Sequence, residues 1–201
     1  MSCDSPETKW STTERDILEA TYKALLKHGY AEISITSIGD EFDKSKSSIY
    51  HHYDTKTDLL TALLEFTVDQ FMSRIETNPK RCPGEELDNF LEQLLTPDPA
   101  EELQLQTVLV CFRSQAVTNP DIRAQFTQVD ERLAATLQEI ITRGIKNGVF
   151  RDVDVSQVTE HLLAMANGVI TTRLTTNREG VSSIARESVV SYVESELKQS
   201  S

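Results

Sequence analysis

The residues with the clearest chemical potential lie between Lys44 and Lys56. This stretch holds three lysines and a single acidic residue, Asp54, in a chain whose formal net charge is -12. Serine hydroxyls, two tyrosines and two histidines lie among the lysines. Lysine ammonium groups bind phosphate oxygens, and hydroxyl and aromatic side chains contact phosphates or base edges. The local chemistry therefore suits a nucleic acid, although the chain as a whole is acidic.

Three short helices are predicted to position this stretch. Ser11 and Glu14 form a capping box that begins the first helix, and Gly29 ends it. Ser34 provides an N-cap for the second helix and Ser45 for the third. A helix of about seven residues is too short to be stable alone, so its apolar side must pack on its neighbours. Its opposite side is then left outside.

The third helix is therefore predicted to present a polar face to a DNA groove. The apolar residues Ile38, Phe42 and Ile49 are expected to pack against the first helix. Tyr53, just beyond the third helix, is expected to be a core aromatic. The outward face carries a cation, hydroxyls and aromatic rings, namely Lys46, Ser47, Ser48, Tyr50 and His51.

The segment from about Arg15 to Leu64 resembles the N-terminal DNA-binding domain of the TetR family of repressors. The resemblance is carried by Gly29-Tyr30, Ser34-Ile35-Thr36-Ser37-Ile38, Ser45-Lys46-Ser47-Ser48-Ile49-Tyr50, His52-Tyr53, Lys56 and Leu59-Leu60. It implies that the third helix enters the major groove. The candidate DNA-contacting residues are Thr36, Lys44, Lys46, Ser47, Ser48, Tyr50, His51 and Lys56. Two positions depart from the family pattern: Gly39 replaces the usual alanine, and Asp43-Lys44 replaces a glycine followed by an apolar residue.

The remainder of the chain has a helical hydrophobic period. A capping box of Thr55 and Asp58 begins a long helix that is predicted to run to Asn78. Further apolar stripes predict helices near 101–118, 156–173 and 182–197, with others between them. We predict an all-α fold of about nine helices. It comprises a disordered tail (1–10), a helix-turn-helix domain (11–54) and a larger effector-binding and dimerisation domain (55–201).

The second half resembles the TetR-family effector and dimerisation domain through its helix order, Asn119-Pro120-Asp121-Ile122-Arg123 and Gly148-Val149-Phe150-Arg151. The resemblance implies a homodimeric repressor that a small molecule releases from operator DNA. Candidate pocket residues are Phe71, Phe90, Leu94, Leu109, Phe112 and Phe126, although each is equally well explained as ordinary core. These side chains favour a hydrophobic or aromatic effector. The dimer is expected to use Val158, Leu162, Met165, Val169, Val189, Tyr192 and Val193.

The rival functional classes are an enzyme and a helical adaptor. An enzyme is disfavoured because the sequence holds no Gly-Lys pair of a P-loop, no GxSxG elbow and no HExxH motif. A helical adaptor that binds only protein remains the alternative. A gel-shift assay with the DNA upstream of the protein's own gene would separate the adaptor from the regulator.

Neither a metal nor another cofactor is expected. His51 and His52 are adjacent, so on a helix they point about 100° apart and cannot share a ligand. The three cysteines, Cys3, Cys82 and Cys111, are widely spaced and form no CxxC pair. No segment is long enough for a membrane span, so a cytoplasmic protein is expected. The acidic charge fits either a high-salt cytoplasm or an ordinary acidic protein.

Overall fold

The computed structural model describes residues 9–42, 46–75, 81–95, 100–178 and 180–199. Contacts between Cα atoms divide the chain into two compact units, Met1–Asp69 and Gln70–Ser201. We call these the N-terminal unit and the C-terminal unit. Within the described ranges, no helix is long and apolar enough to cross a membrane.

Nine α-helices form in the described part of the chain, which confirms the predicted all-α fold. They are α1 (Thr12–Glu32), α2 (Ile35–Asp40), α3 (Lys46–His52), α4 (Lys56–Arg74), α5 (Pro83–Leu95), α6 (Ala100–Gln115), α7 (Pro120–Lys146), α8 (Val155–Thr175) and α9 (Val181–Tyr192). A single π-helical turn, Val193–Leu197, continues α9. An isolated antiparallel bridge joins Phe150 to Lys198.

The helix starts of the N-terminal unit are fixed by side-chain caps. The Ser11 hydroxyl accepts from the Glu14 N–H at 3.3 Å, and the Ser11 N–H donates to the Glu14 carboxylate at 2.8 Å, as predicted. Ser34 caps α2, also as predicted. Ser45, the predicted cap of α3, lies outside the described residues. Gly29 interrupts α1 with φ of 75°, a left-handed value that glycine adopts without strain.

The core of the N-terminal unit is built where α1 and α2 pack together and α3 packs on α2. Ile38, Phe42 and Ile49 are all buried, as the sequence predicted. The expected tail covered residues 1–10; residues 1–8 lie outside the described part. Lys9 pairs with Glu65 on α4 at 3.1 Å. Trp10 packs edge-on against Phe66 of the same helix.

The C-terminal unit is organised around α7, which packs against α5, α6 and α8. The Asn119 side chain caps α7, and a buried apolar stripe follows its length. Glu86 of α5 is almost fully buried and pairs with Arg143 of α7, which ties the two helices together. Gly144 is required at its position because a Cβ atom there would lie 1.9 Å from the Phe150 ring.

Several predicted helix ends differ from the structure. The long helix expected to reach Asn78 ends at Arg74, and residues 76–80 lie outside the described part. The helix expected over 101–118 spans Ala100–Gln115 and is only partly buried. Leu105, Val108 and Phe112 are buried, whereas Leu109 and Val110 on another flank are only half-buried. These two residues line a cavity, so one apolar side of α6 does not face the core.

Candidate DNA-binding surface and effector cavity

Helix α3 carries its candidate DNA-contacting residues over a buried anchor. Ile49 is completely buried, so it fixes the rotation of the helix about its axis. Ser47, Tyr50 and His51 are exposed, and the Tyr50 side chain is 57% exposed. An exposed tyrosine ring at this position can contact a thymine methyl group or a base edge. Ser48 is half-buried and contributes less to this face.

Three further candidates are Thr36, Lys44 and Lys46. Thr36 is exposed on α2. Lys44 lies outside the described residues, and Lys46 is described only as the first residue of α3. Their predicted DNA contacts therefore stay predictions.

Tyr53 differs from Tyr50 because its side chain turns inward. Its hydroxyl is buried, and burial together with the nearby carboxylates of Glu14 and Glu65 raises the Tyr53 pKa to about 12. The hydroxyl therefore stays protonated. The residue as a whole is half-buried, so Tyr53 lies at the edge of the core rather than within it.

Lys56 begins α4 next to a completed capping box. Thr55 Oγ1 accepts from the Asp58 N–H at 3.1 Å, and the Asp58 carboxylate accepts from the Thr55 N–H at 3.0 Å. The predicted capping box is thus confirmed. Lys56 is half-buried and adds a positive charge at the end of the helix where the backbone dipole is also positive. This combination suits a phosphate group.

Four of the six candidate pocket residues line one cavity inside the C-terminal unit. We call this the inner cavity; its volume is about 50 Å³, and Phe71, Leu94, Leu109 and Phe126 contribute to its wall. Phe90 and Phe112 do not line it and are buried elsewhere in the core. The polar groups in its wall are Gln106, Arg113, Asn167 and Thr171.

A wider groove of about 400 Å³ lies beside the inner cavity, and we call it the outer groove. Leu133, Leu163 and Asn167 belong to the walls of both spaces. The inner cavity alone holds little more than a water molecule or two. Ligand pockets usually measure about 300–1,000 Å³, so a small molecule would need the outer groove as well.

Arg113 of α6 is the cation in the wall of the inner cavity. Its guanidinium donates two hydrogen bonds to the Asp130 carboxylate of α7, at 2.6 and 3.3 Å. The same guanidinium lies 4.7 Å from the centroid of the Phe126 ring. Phe126 and Asp130 are one helical turn apart, so both face α6.

A second arginine holds the polar side of the cavity in place. Arg173 of α8 donates to the Leu95 carbonyl at 2.7 Å and also bonds the Gln106 side chain. Gln106 donates in turn to the Leu94 carbonyl at 3.2 Å. These are C-terminal carbonyls of α5, which the helix itself leaves without partners. Burial lowers the Arg173 pKa, and the negative end of the α5 dipole compensates part of that cost.

The predicted dimer residues lie mostly inside the protomer. Helices α8 and α9 pack on each other. Five residues of the predicted set, Val158, Leu162, Val169, Val189 and Val193, are at most 6% exposed, so they have almost no surface left for a partner. Met165 and Tyr192 are half-buried. An apolar stripe predicts burial but does not say whether the same chain or a second copy covers it.

Two family models match the chain. The model described as bacterial regulatory proteins of the TetR family matches residues 17–63, which include α2 and α3. The model described as the C-terminal part of BetI-type transcriptional repressors matches residues 83–198, more than half of the chain.

Individual relatives agree with these models. A TetR transcription regulator from Haloarcula marismortui has 35% identity and a TM-score of 0.85, and the alignment covers 94% of this chain and all of that one. A putative regulator from Saccharomonospora viridis, solved in complex with choline, has 26% identity and a TM-score of 0.83 over 95% of this chain and all of the other. The transcriptional repressor AcnR of Corynebacterium efficiens is 24% identical over 93% of both chains.

The helical fold and the matched N-terminal segment define a DNA-binding transcriptional regulator of the helix-turn-helix class. Within that class, the chain belongs to the TetR family. The prediction of a DNA-binding regulator is thereby confirmed, and the family is one of regulators, not of enzymes.

Proposed function

We propose that the protein is a homodimeric repressor that binds operator DNA through α3 and is released when a small molecule binds in the C-terminal unit. The observation that carries the DNA-binding part is the exposed face of α3. Tyr50 and His51 lie in water above the buried Ile49, within the segment that matches the family's DNA-binding model. Repression is supported by the description of the matching C-terminal model and by the repressor among the relatives.

The effector part rests on the two neighbouring spaces of the C-terminal unit. Their shared wall gives a ligand an apolar surface, and four polar side chains in the inner cavity can orient it. The choline complex of the Saccharomonospora viridis relative supports a small-molecule ligand in this architecture. Choline is a cation, which differs from the hydrophobic effector that the sequence favoured. A ligand releases DNA only if it binds the released conformation more tightly than the DNA-bound one.

The dimer part rests on the outward faces of α8 and α9. On α8 the exposed positions outside the outer groove include His161 and Gly168, and a Cβ atom added at Gly168 would meet nothing within 4 Å. On α9 the Ile184 side chain is 65% exposed. Small residues allow two helices to approach closely, and an exposed isoleucine gains free energy from being covered. We therefore propose that these faces, rather than the buried stripes, meet the second copy.

DNA binding can be tested by fluorescence anisotropy with the DNA upstream of the protein's own gene. We expect the wild type to prefer this DNA over a scrambled duplex of equal length. Tyr50→Ala or His51→Ala should each weaken operator binding by about 1–3 kcal/mol and change random binding little, because base contacts carry specificity.

His28→Ala is the matched control, since His28 is an exposed histidine of α1. It should leave both affinities unchanged. Equal binding of both DNAs by the wild type would instead favour the helical adaptor. Unchanged specificity in both α3 variants would mean that this helix does not lie in the DNA groove.

A further inference from the structure

The Arg113 side chain makes two contacts that a bound organic cation would also seek. Its planar guanidinium lies over the Phe126 ring, and it pairs with both oxygens of Asp130. An aromatic face attracts a cation through its quadrupole, and a carboxylate attracts it by charge. Both partners belong to α7, whereas Arg113 comes from α6. The Arg113 guanidinium therefore reaches this site from a separate helix and can leave it without moving Phe126 or Asp130.

The charges around the two spaces favour a cation as the ligand. Among the described residues that line the inner cavity and the outer groove, Arg113 is the one cationic side chain. The groove carries three carboxylates, those of Asp130, Glu131 and Glu160. Asp130 already neutralises Arg113, so an anion entering here would meet uncompensated negative charge. A cation would be attracted by the same carboxylates.

The apolar part of a ligand also finds a surface here. Leu133 and Leu163 lie in the walls of both spaces, and Ala134 and Ala164 extend the groove. A ligand with methyl or alkyl groups around its positive charge would therefore bury apolar area while its charge faces the carboxylates.

We propose that Phe126 and Asp130 form the recognition site for a small organic cation, and that Arg113 occupies this site as an internal competitor. The proposal rests on the proposed function, because it names the ligand class of the same effector region. An entering cation takes the place of the guanidinium over Phe126 and beside Asp130. Arg113 then moves into solvent, and the ion pair that joins α6 to α7 is lost.

Displacement is feasible because the ion pair is not deeply buried. The side chains of Arg113 and Asp130 are 37% and 45% exposed. Water and salt screen an ion pair at such a site, so the pair contributes little to stability. The ion pair between Glu86 and Arg143 also joins α7 to a neighbouring helix. It differs from the Arg113 pair because Glu86 is only 2% exposed. Arg113 is therefore the cation that a ligand can replace at low cost.

Isothermal titration calorimetry of the full chain with choline tests the proposal directly. Choline should bind more tightly than its neutral isostere 3,3-dimethylbutan-1-ol. Phe126→Leu and Asp130→Asn should each weaken choline binding by roughly tenfold, the size of a partly desolvated cation–π contact. Arg113→Gln should strengthen it several-fold, because the internal competitor is gone. The Arg113 variant changes an exposed side chain, so it also covers the case that Phe126→Leu fails to fold.

Glu139→Gln is the matched control for Asp130→Asn. It removes one negative charge from an exposed position of α7 that lines neither space. It should leave choline binding unchanged.

Three results would overturn the proposal: weaker choline binding by Arg113→Gln, equal binding of choline and its isostere, or tighter binding of hexanoate than of choline. Absence of binding by both choline and tetraethylammonium would overturn it as well. Operator binding measured on the same preparation separates these failures from failure of the proposed function, since the DNA surface does not include these residues.

Discussion

Lys56 and the pair Tyr50 and His51 occupy different kinds of position, and this difference decides what each can recognise. Lys56 is the first residue of α4, where the backbone already favours an anion. Tyr50 and His51 lie on the exposed side of α3. A phosphate contact positions the protein on any sequence, whereas a base contact distinguishes one sequence from another.

We expect Lys56→Ala to weaken the binding of operator and random DNA alike. Loss of one phosphate contact should lower the slope of log K against log salt by about 1 per half-site. A salt series with both DNAs measures this slope. Lys23→Ala, which removes an exposed lysine of α1, should leave the slope unchanged. A loss confined to the operator complex would mean that Lys56 reads a base.

At the scale of single helices, the sequence predicted where a helix begins better than it predicted which surface covers its apolar stripe. The capping boxes at Ser11 and Thr55 could be recognised because their hydrogen bonds join residues only three positions apart. The partner of an apolar stripe lies far away in the sequence and leaves no local signal. Val169 and Val189 were therefore assigned to a dimer although they pack inside the protomer.

The exposed face of α8 offers a test of the proposed dimer, because a substitution there should leave the protomer folded. Gly168→Arg should give a monomer and weaken operator binding. A Cβ atom at this position meets nothing within 4 Å, and replacing a helical glycine should raise helix stability by up to about 1 kcal/mol. Size-exclusion chromatography with light scattering gives the mass, and thermal unfolding checks the fold.

Ala135→Arg provides the control, because Ala135 is exposed on α7. It should remain a dimer and bind DNA normally. If the Gly168 variant also kept the mass of a dimer, α8 would not lie at the interface. Val169→Asp would be a less informative variant, since a charge at a buried position can unfold the protomer.

For the molecule as a whole, the sequence predicted the class of regulator but only part of the lining of the inner cavity. Phe71 and Phe126 were chosen as pocket residues and line the inner cavity. Phe112 was chosen on the same grounds and is core. Whether an aromatic residue faces the cavity or the core depends on the rotation of its helix about the helix axis. The sequence does not define that rotation precisely. Arg113 was missed because its two partners lie 13 and 17 positions away.

The net charge of -12 should make the stability of the whole chain depend on salt. Like charges spread over the surface repel one another in the folded state, and salt screens this repulsion. We expect the midpoint of the first thermal transition to rise by about 5 °C between 0.05 and 0.5 M KCl, given roughly 2–4 °C per kcal/mol for a chain of this size. Differential scanning calorimetry across a KCl series measures this midpoint.

Most of the rise should occur below about 0.5 M, where the screening length falls from more than 10 Å to a few ångströms. A rise that begins only at higher salt would instead indicate exclusion of the salt from the protein surface, and a falling midpoint would mean that ion pairs such as Lys9 with Glu65 outweigh the repulsion.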